Sequence, residues 1–131
     1  MIRKSSIRIA MMLIVGVISF SYASKVLKKK PVLRHMVAFQ FKDEVSEDRR
    51  AQAVQDFLDL KDKIPEIKKF EGGEEIGVEG YNKGLTHCFV LTFENEEARD
   101  VYLPHPAHIE VAKKNKPLLK DLLVLDFLGE K

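Results

Sequence analysis

Residues 33–42 read LRHMVAFQFK and residues 85–93 read LTHCFVLTF, and the alternation in both is the strongest structural signal in the chain. In the first, Leu33, His35, Val37, Phe39 and Phe41 alternate with Arg34, Met36, Ala38, Gln40 and Lys42. In the second, Leu85, His87, Phe89, Leu91 and Phe93 alternate with Thr86, Cys88, Val90 and Thr92. Successive side chains of a strand point to opposite faces, so a period of two marks a strand with one apolar face. Each of these apolar faces carries one histidine.

The flanking segments complete the pattern. Ser46 is a helix N-cap, with Glu47 and Asp48 in the first turn where carboxylates suit the helix dipole. Val54, Phe57, Leu58, Lys61 and Ile64 then recur at helical spacing until Pro65 ends the helix. Residues Ile67 to Val78, interrupted by Gly72, Gly73 and Gly77, read as a bent or bulged strand. Tyr81-Asn82-Lys83-Gly84 is a turn. Asn95, with Glu96 and Glu97, starts a second helix that breaks at Pro104 and Pro106 and resumes from Ala107 to Lys113. Leu122 to Leu128 is the last strand. The order strand, helix, strand, strand, helix, strand predicts an α+β fold with an antiparallel sheet and both helices on one face. Met36, Ala38, Cys88 and Val90 make the other face too apolar to be left fully wet, and a two-fold homodimer is the expected cover.

Ahead of this domain, Arg3, Lys4 and Arg8 precede an apolar run from Ile9 to Phe20 and the small-residue segment Ser21-Tyr22-Ala23. That is the layout of a secretory signal peptide. A run of about a dozen residues is short against the roughly 20 needed to cross a bilayer, so cleavage after Ala23 is expected and stable membrane insertion is not. The expected organisation is a signal peptide over 1–23, a leader over 24–32 and one domain over 33–131, exported to a periplasm or secreted. Cleavage would remove three of the 22 Lys and Arg and none of the 20 Asp and Glu, taking the net charge from +2 to near −1. A near-neutral domain has no electrostatic claim on phosphate backbones, so nucleic acid is not an expected partner. Cys88 is the only cysteine, which rules out an intramolecular disulfide.

The four histidines gather in the domain. His35 and His87 lie on the helix-facing sides of their strands, and His105 and His108 lie where the second helix breaks. If the first and third strands are neighbours, His35 and His87 converge beneath that break and several polar groups meet in a greasy pocket. Such a pocket suits a small, mostly apolar ligand with a carbonyl or phenol head. Imidazole titrates near pH ~6.5 and accepts a proton at neutral pH, whereas a tyrosine hydroxyl with pKa ~10 stays protonated and donates to an oxyanion. His108 and Tyr102 are therefore the candidate catalytic pair, and His35, His87, Val37, Phe39, Phe89 and His105 the candidate ligand-binding residues. Each histidine has a structural reading beside this one: a strand histidine satisfied by one hydrogen bond, or, for His105, a helix-break residue bonding backbone. A metal site is disfavoured, because the His105 to His108 step lies in proline-containing backbone with no carboxylate at ligand spacing. No cofactor is implied.

The segments Arg34-His35-Met36-Val37 with Phe39-Gln40-Phe41-Lys42, Gly84-Leu85-Thr86-His87 through Leu91-Thr92-Phe93, and Tyr102 to His108 (YLPHPAH) closely resemble the stress-responsive A/B barrel family, also called Dabb domains. The resemblance runs from about Leu33 to Phe127. It implies a ferredoxin-like βαββαβ subunit and a homodimer whose two sheets face each other as a dimeric α/β barrel. The polyketide-cyclase branch of the family implies His108 as general base and Tyr102 as the residue orienting or polarising a substrate carbonyl, with His35 and His87 lining the same pocket. Family membership alone does not make an enzyme. Three readings therefore stand: an exported protein that binds a small hydrophobic carbonyl or phenolic compound with His/Tyr acid-base chemistry, a non-catalytic binding or stress-protection module, and a metal-dependent oxidoreductase.

Overall fold

Strand β1 (Val32–Phe41) is paired antiparallel on both sides, and the rest of the molecule is arranged around it. The structure is a computed structural model and describes residues 30–130; the expected signal peptide lies outside the described residues. Helix α1 (Glu47–Leu58) starts at Ser46, whose hydroxyl accepts from the Arg49 N–H, and gives way at Asp59 to the single turn α2 (Leu60–Lys63). Then come β2 (Lys69–Glu74), β3 (His87–Phe93) and α3 (Glu96–Tyr102), capped by the Asn95 side chain at 2.9 Å from the Ala98 nitrogen. Helix α4 (Pro106–Asn115), a 3-10 turn over Lys116–Leu118 and strand β4 (Leu119–Gly129) follow. No helix among the described residues is long and apolar enough to cross a membrane.

The strand order is β2-β3-β1-β4, all antiparallel, with the helices on one face. This is the ferredoxin-like α+β topology. The barrel implied by the family resemblance is not formed: β2 and β4 stand at opposite edges and the sheet stays open. Closing a sheet around an interior that side chains can fill takes about eight strands, and this sheet has four.

Several boundaries differ from expectation, the first helix breaking at Asp59 rather than running to Ile64, and two of the differences come from strand pairing. The strand expected over Ile67 to Val78 is ordered only from Lys69 to Glu74, because β3 supplies partners no further than the pair Glu74 with His87. Ile67 is instead buried in the core ahead of it. The last strand begins at Leu119 rather than Leu122, since β1 continues to offer pairing out to Phe41. The turn over residues 81–84 is present: Lys83 and Gly84 have φ of 57° and 82°, and the Asn82 side chain accepts from the Gly84 N–H.

The core lies between the sheet and the helices. Leu33, Val37, Phe39 and Phe41 of β1 and Phe89, Leu91 and Phe93 of β3 meet Ala53, Leu60, Ile64, Tyr102 and Val111. Complete burial of a side chain such as Leu60, Ile64 or Leu91 contributes roughly 1.5–3 kcal/mol. On the opposite face, Leu123, Leu125 and Phe127 are 40%, 49% and 52% exposed beside half-buried Met36 and Val90.

Gly72 has φ of 148°, and a Cβ there would overlap the Cys88 carbonyl oxygen and the Phe89 ring. Gly72→Ala is expected to destabilise the fold by roughly 1–3 kcal/mol or more through combined backbone strain and overlap. The urea midpoint measures this, and a midpoint equal to that of the parent protein would contradict it.

Candidate functional site

A cavity of about 150 Å³ opens between the sheet and the helices. His35, Val37 and Phe39 form one wall, because the period of two that buries Leu33 and Phe41 turns the same parity of β1 toward the helices. Phe57 of α1, Tyr102, and His108 and Val111 of α4 form the other wall, and Leu122 and Val124 of β4 close the side. The lining is apolar except where His35, Tyr102 and His108 meet, at Lys116, and at Asn115, whose Oδ1 accepts from Arg49 Nη2 at 2.9 Å.

The proline-containing break between α3 and α4 builds the polar end. Helix α3 stops at Tyr102 and α4 begins with Pro106 at its first turn, capped by His105, whose Nδ1 accepts from the Ala107 N–H at 3.2 Å. The reversal brings the rings of Tyr102 and His108 to a centroid separation of 4.3 Å. Tyr102 is 1% exposed, and burial pushes its hydroxyl well above the usual value near 10, so it carries its proton at any ordinary pH. No described residue hydrogen-bonds that hydroxyl. Burial pushes the His108 imidazole below its usual 6.5; the bond to the Leu103 carbonyl opposes this, and the neighbouring His35 and His105 add to it. His108 is therefore neutral at pH 7. Its Nδ1–H donates to the Leu103 oxygen at 2.8 Å, which leaves the Nε2 lone pair free.

His35, 5% exposed, packs edge-on against Tyr102 at 5.8 Å between centroids. Its Nδ1 lies 2.6 Å from Asp126 Oδ1, and Arg99 Nη1 lies 2.6 Å from Asp126 Oδ2. Burial alone would raise the Asp126 carboxyl, but its hydrogen bonds to His35 and Arg99 outweigh that and hold it below the ordinary carboxylate range. An ionised carboxylate only accepts, so the His35 Nδ1 carries the proton and donates. Asp126 and Arg99 were not among the residues expected here. The usable signal was one acid inside the apolar run of residues 122–128, at the same parity as Leu122 and Val124.

Three of the expected ligand-binding residues, His87, Phe89 and His105, stand elsewhere. β1 and β3 are neighbours as expected, but His35 pairs with Leu91 whereas His87 pairs with Phe39, four residues further along β1 and roughly 13 Å away. His87 stacks on Phe39 at 5.2 Å and 8° and, with Phe89, lines a second cleft with α1 and β2. Burial lowers the His87 pKa, Glu74 opposes the shift and Arg50 adds to it. His105 caps α4 and does not line the cavity. Among the described residues, no three His, Cys, Asp or Glu side chains cluster as a metal site requires.

Comparison with known proteins places these features in context. The family model described as Stress responsive A/B Barrel Domain matches residues 33–128. The chain is 35% identical to the stress-response A/B barrel domain-containing protein HS1 of Arabidopsis thaliana, over 76% of this chain and 90% of that one. It is 27% identical to olivetolic acid cyclase of Cannabis sativa over 76% of this chain and 98% of that one. The structure of hydroxynitrile lyase from Passiflora edulis superposes with a TM-score of 0.72 at 26% identity, covering 76% of this chain and 94% of that one.

The Asp126 pairing has a measurable signature. A carboxyl held below its unfolded value of about 3.9 contributes stability that is present above that pH and is lost as pH falls through the folded value. Urea midpoints taken from pH 7 to pH 3 are expected to fall less steeply for Asp126→Asn than for the parent protein. Identical slopes would show that the pairing contributes nothing.

Proposed function

Because this chain belongs to the stress-responsive A/B barrel family, we propose that its cavity binds a small hydrophobic carbonyl or phenolic compound and moves a proton on it. The observation that carries the proposal is the pairing of a buried, protonated Tyr102 with a neutral His108 whose Nε2 is not used by the Leu103 bond, both residues lining the same mostly apolar cavity. A substrate carbonyl accepts a hydrogen bond from the Tyr102 hydroxyl. His108 Nε2 then takes the proton from the adjacent carbon, the C–H electron pair moves into a C–C double bond, and the carbonyl pair moves to oxygen as an enolate. Tyr102 stabilises that developing charge within a mostly apolar lining. His35, oriented by Asp126, stands beside Tyr102 and limits how the head group sits. Two relatives are named for enzymes, a cyclase and a lyase, which supports acid-base chemistry on this scaffold.

The same reading takes the protein to be an exported homodimer. Leu123, Leu125 and Phe127 are too large and contiguous to face water, and a second copy covers them by self-complementary contact. Export rests on the basic, apolar and small-residue zones of residues 1–23, and the intact mass of the exported protein should begin at Ser24.

His108→Ala is expected to lower turnover of an enolisable aryl ketone, followed as deuterium exchange at its α-carbon, by about 10²–10⁴-fold while leaving binding within a few-fold. Tyr102→Phe is expected to lower it by about 10²–10³-fold. Because the base works unprotonated, the rate should hold to below pH ~6.5 and fall only as His108 protonates. Binding without exchange in the parent protein would favour a non-catalytic module instead.

Light scattering should give twice the chain mass at micromolar concentration, and Leu125→Glu should shift the protein toward the monomer. A monomeric parent protein would remove the dimer from the proposal.

A further inference from the structure

We propose that the cavity has a second polar end, at Asn115 and Lys116, which receives a carboxylate, so that the ligand is an acid carrying its carbonyl or phenol head at the opposite end. The proposal rests on the ligand-binding reading above and specifies its substrate class. Asn115 follows His108 by seven residues of α4, which is nearly two turns and roughly 10 Å along the same helix face. A ligand whose head lies at Tyr102 and His108 and whose body runs along that face therefore ends at Asn115 and Lys116, and both of these line the cavity. The volume of about 150 Å³ admits a benzene-sized body, and a para-disubstituted ring presents its two polar groups at opposite ends.

The two ends differ in charge. Tyr102 and His108 present uncharged groups, whereas the surroundings of Asn115 are positive. Asn115 is 8% exposed and is held by Arg49, whose Nη2 donates to its Oδ1 at 2.9 Å and whose Nη1 is buried with no hydrogen-bond partner among the described residues. With that oxygen engaged, what remains of the Asn115 carboxamide for a ligand is its NH2 group, a donor. Asp56, the acid beside Asn115, is already neutralised by Lys114 Nζ at 2.6 Å. The Lys116 ammonium makes no ion pair among the described residues. Lys116 borders both the cavity and a shallow outer groove formed by Leu103, Ile109 and Pro117 with Lys113, so it stands at the mouth. Among the described residues no Asp or Glu lines the cavity. An apolar body closed at this end by donors and cations, with no acid to match them, selects an anionic group over a neutral one of the same shape.

The experiment is calorimetric titration at pH 7 with 4-acetylbenzoate and 4-acetylbenzamide, which share size and head but differ in charge, into the parent protein, Lys116→Met, Asn115→Asp, Lys113→Met and Tyr102→Phe. In the parent protein the carboxylate should bind at least about tenfold more tightly than the amide. Lys116→Met keeps the apolar stem and removes the charge; it should cost the carboxylate about fivefold to tenfold while the amide changes by less than about twofold. Asn115→Asp keeps an acceptor for Arg49 and adds a negative charge, and it should erase the preference for the carboxylate. Lys113→Met removes an exposed charge of the outer groove that does not line the cavity, and both compounds should stay within about twofold. Tyr102→Phe should weaken both compounds similarly, because they share the head. Equal affinity for acid and amide in the parent protein, or a loss in Lys113→Met as large as in Lys116→Met, overturns the second polar end, and a loss in Tyr102→Phe then leaves the binding site standing without it. If neither compound binds the parent protein, the site reading falls and the second polar end with it.

Discussion

The register of β1 between β3 and β4 is the constraint on which the rest of this structure depends. A slip of one residue would turn His35, Val37 and Phe39 away from the helices and bring Arg34, Met36 and Ala38 under them. The observed register does three things at once. It puts Leu33 and Phe41 into the core, it places Val37 and Phe39 along one wall of a cavity, and it sets His35 opposite Asp126. The buried imidazole is acceptable there because the neighbouring strand presents a carboxylate, itself tied to Arg99 of α3. Sheet pairing and side-chain chemistry are thus satisfied by one alignment.

The second constraint is the proline-containing break after Tyr102. A continuous helix would carry Tyr102 and His108 six residues apart, about 120° apart around the axis and about 9 Å along it. Pro104 and Pro106 forbid that path, and the new helix starts with its own cap at His105. The carbonyl of Leu103, left over at the end of α3, is taken by the His108 imidazole. One local device therefore supplies the ring contact, the tautomer and the free nitrogen.

Much of this was legible in the chain because it is local. Alternation marked β1 and β3, side-chain caps marked the starts of α1 and α3, and the prolines marked the segment that holds Tyr102 and His108. What was not legible is long-range. Adjacency of β1 and β3 follows from the element order, but the offset that carries His87 to Phe39 and away from His35 depends on antiparallel register across 50 residues of chain. The same applies to Asp126, 91 residues from His35 in sequence, whose place in an apolar run carries no sign of its partner. The expected barrel failed for a related reason: pairing at the outer edges of β2 and β4 is a property of assembly, which alternation within one strand does not encode.

Asp126 also bears on how the chain behaves before it is folded. Residues 122–128 read LLVLDFL, and apart from this one acid they form an uncharged, β-prone run at the edge of the sheet. Edge segments of that composition are templates for aggregation, and a charge placed within them is the usual safeguard. The carboxylate that orders His35 is also the residue that keeps this stretch from being a continuous sticky tape. One side chain thus both interrupts this apolar run with a charge and orients the imidazole at the polar end of the cavity.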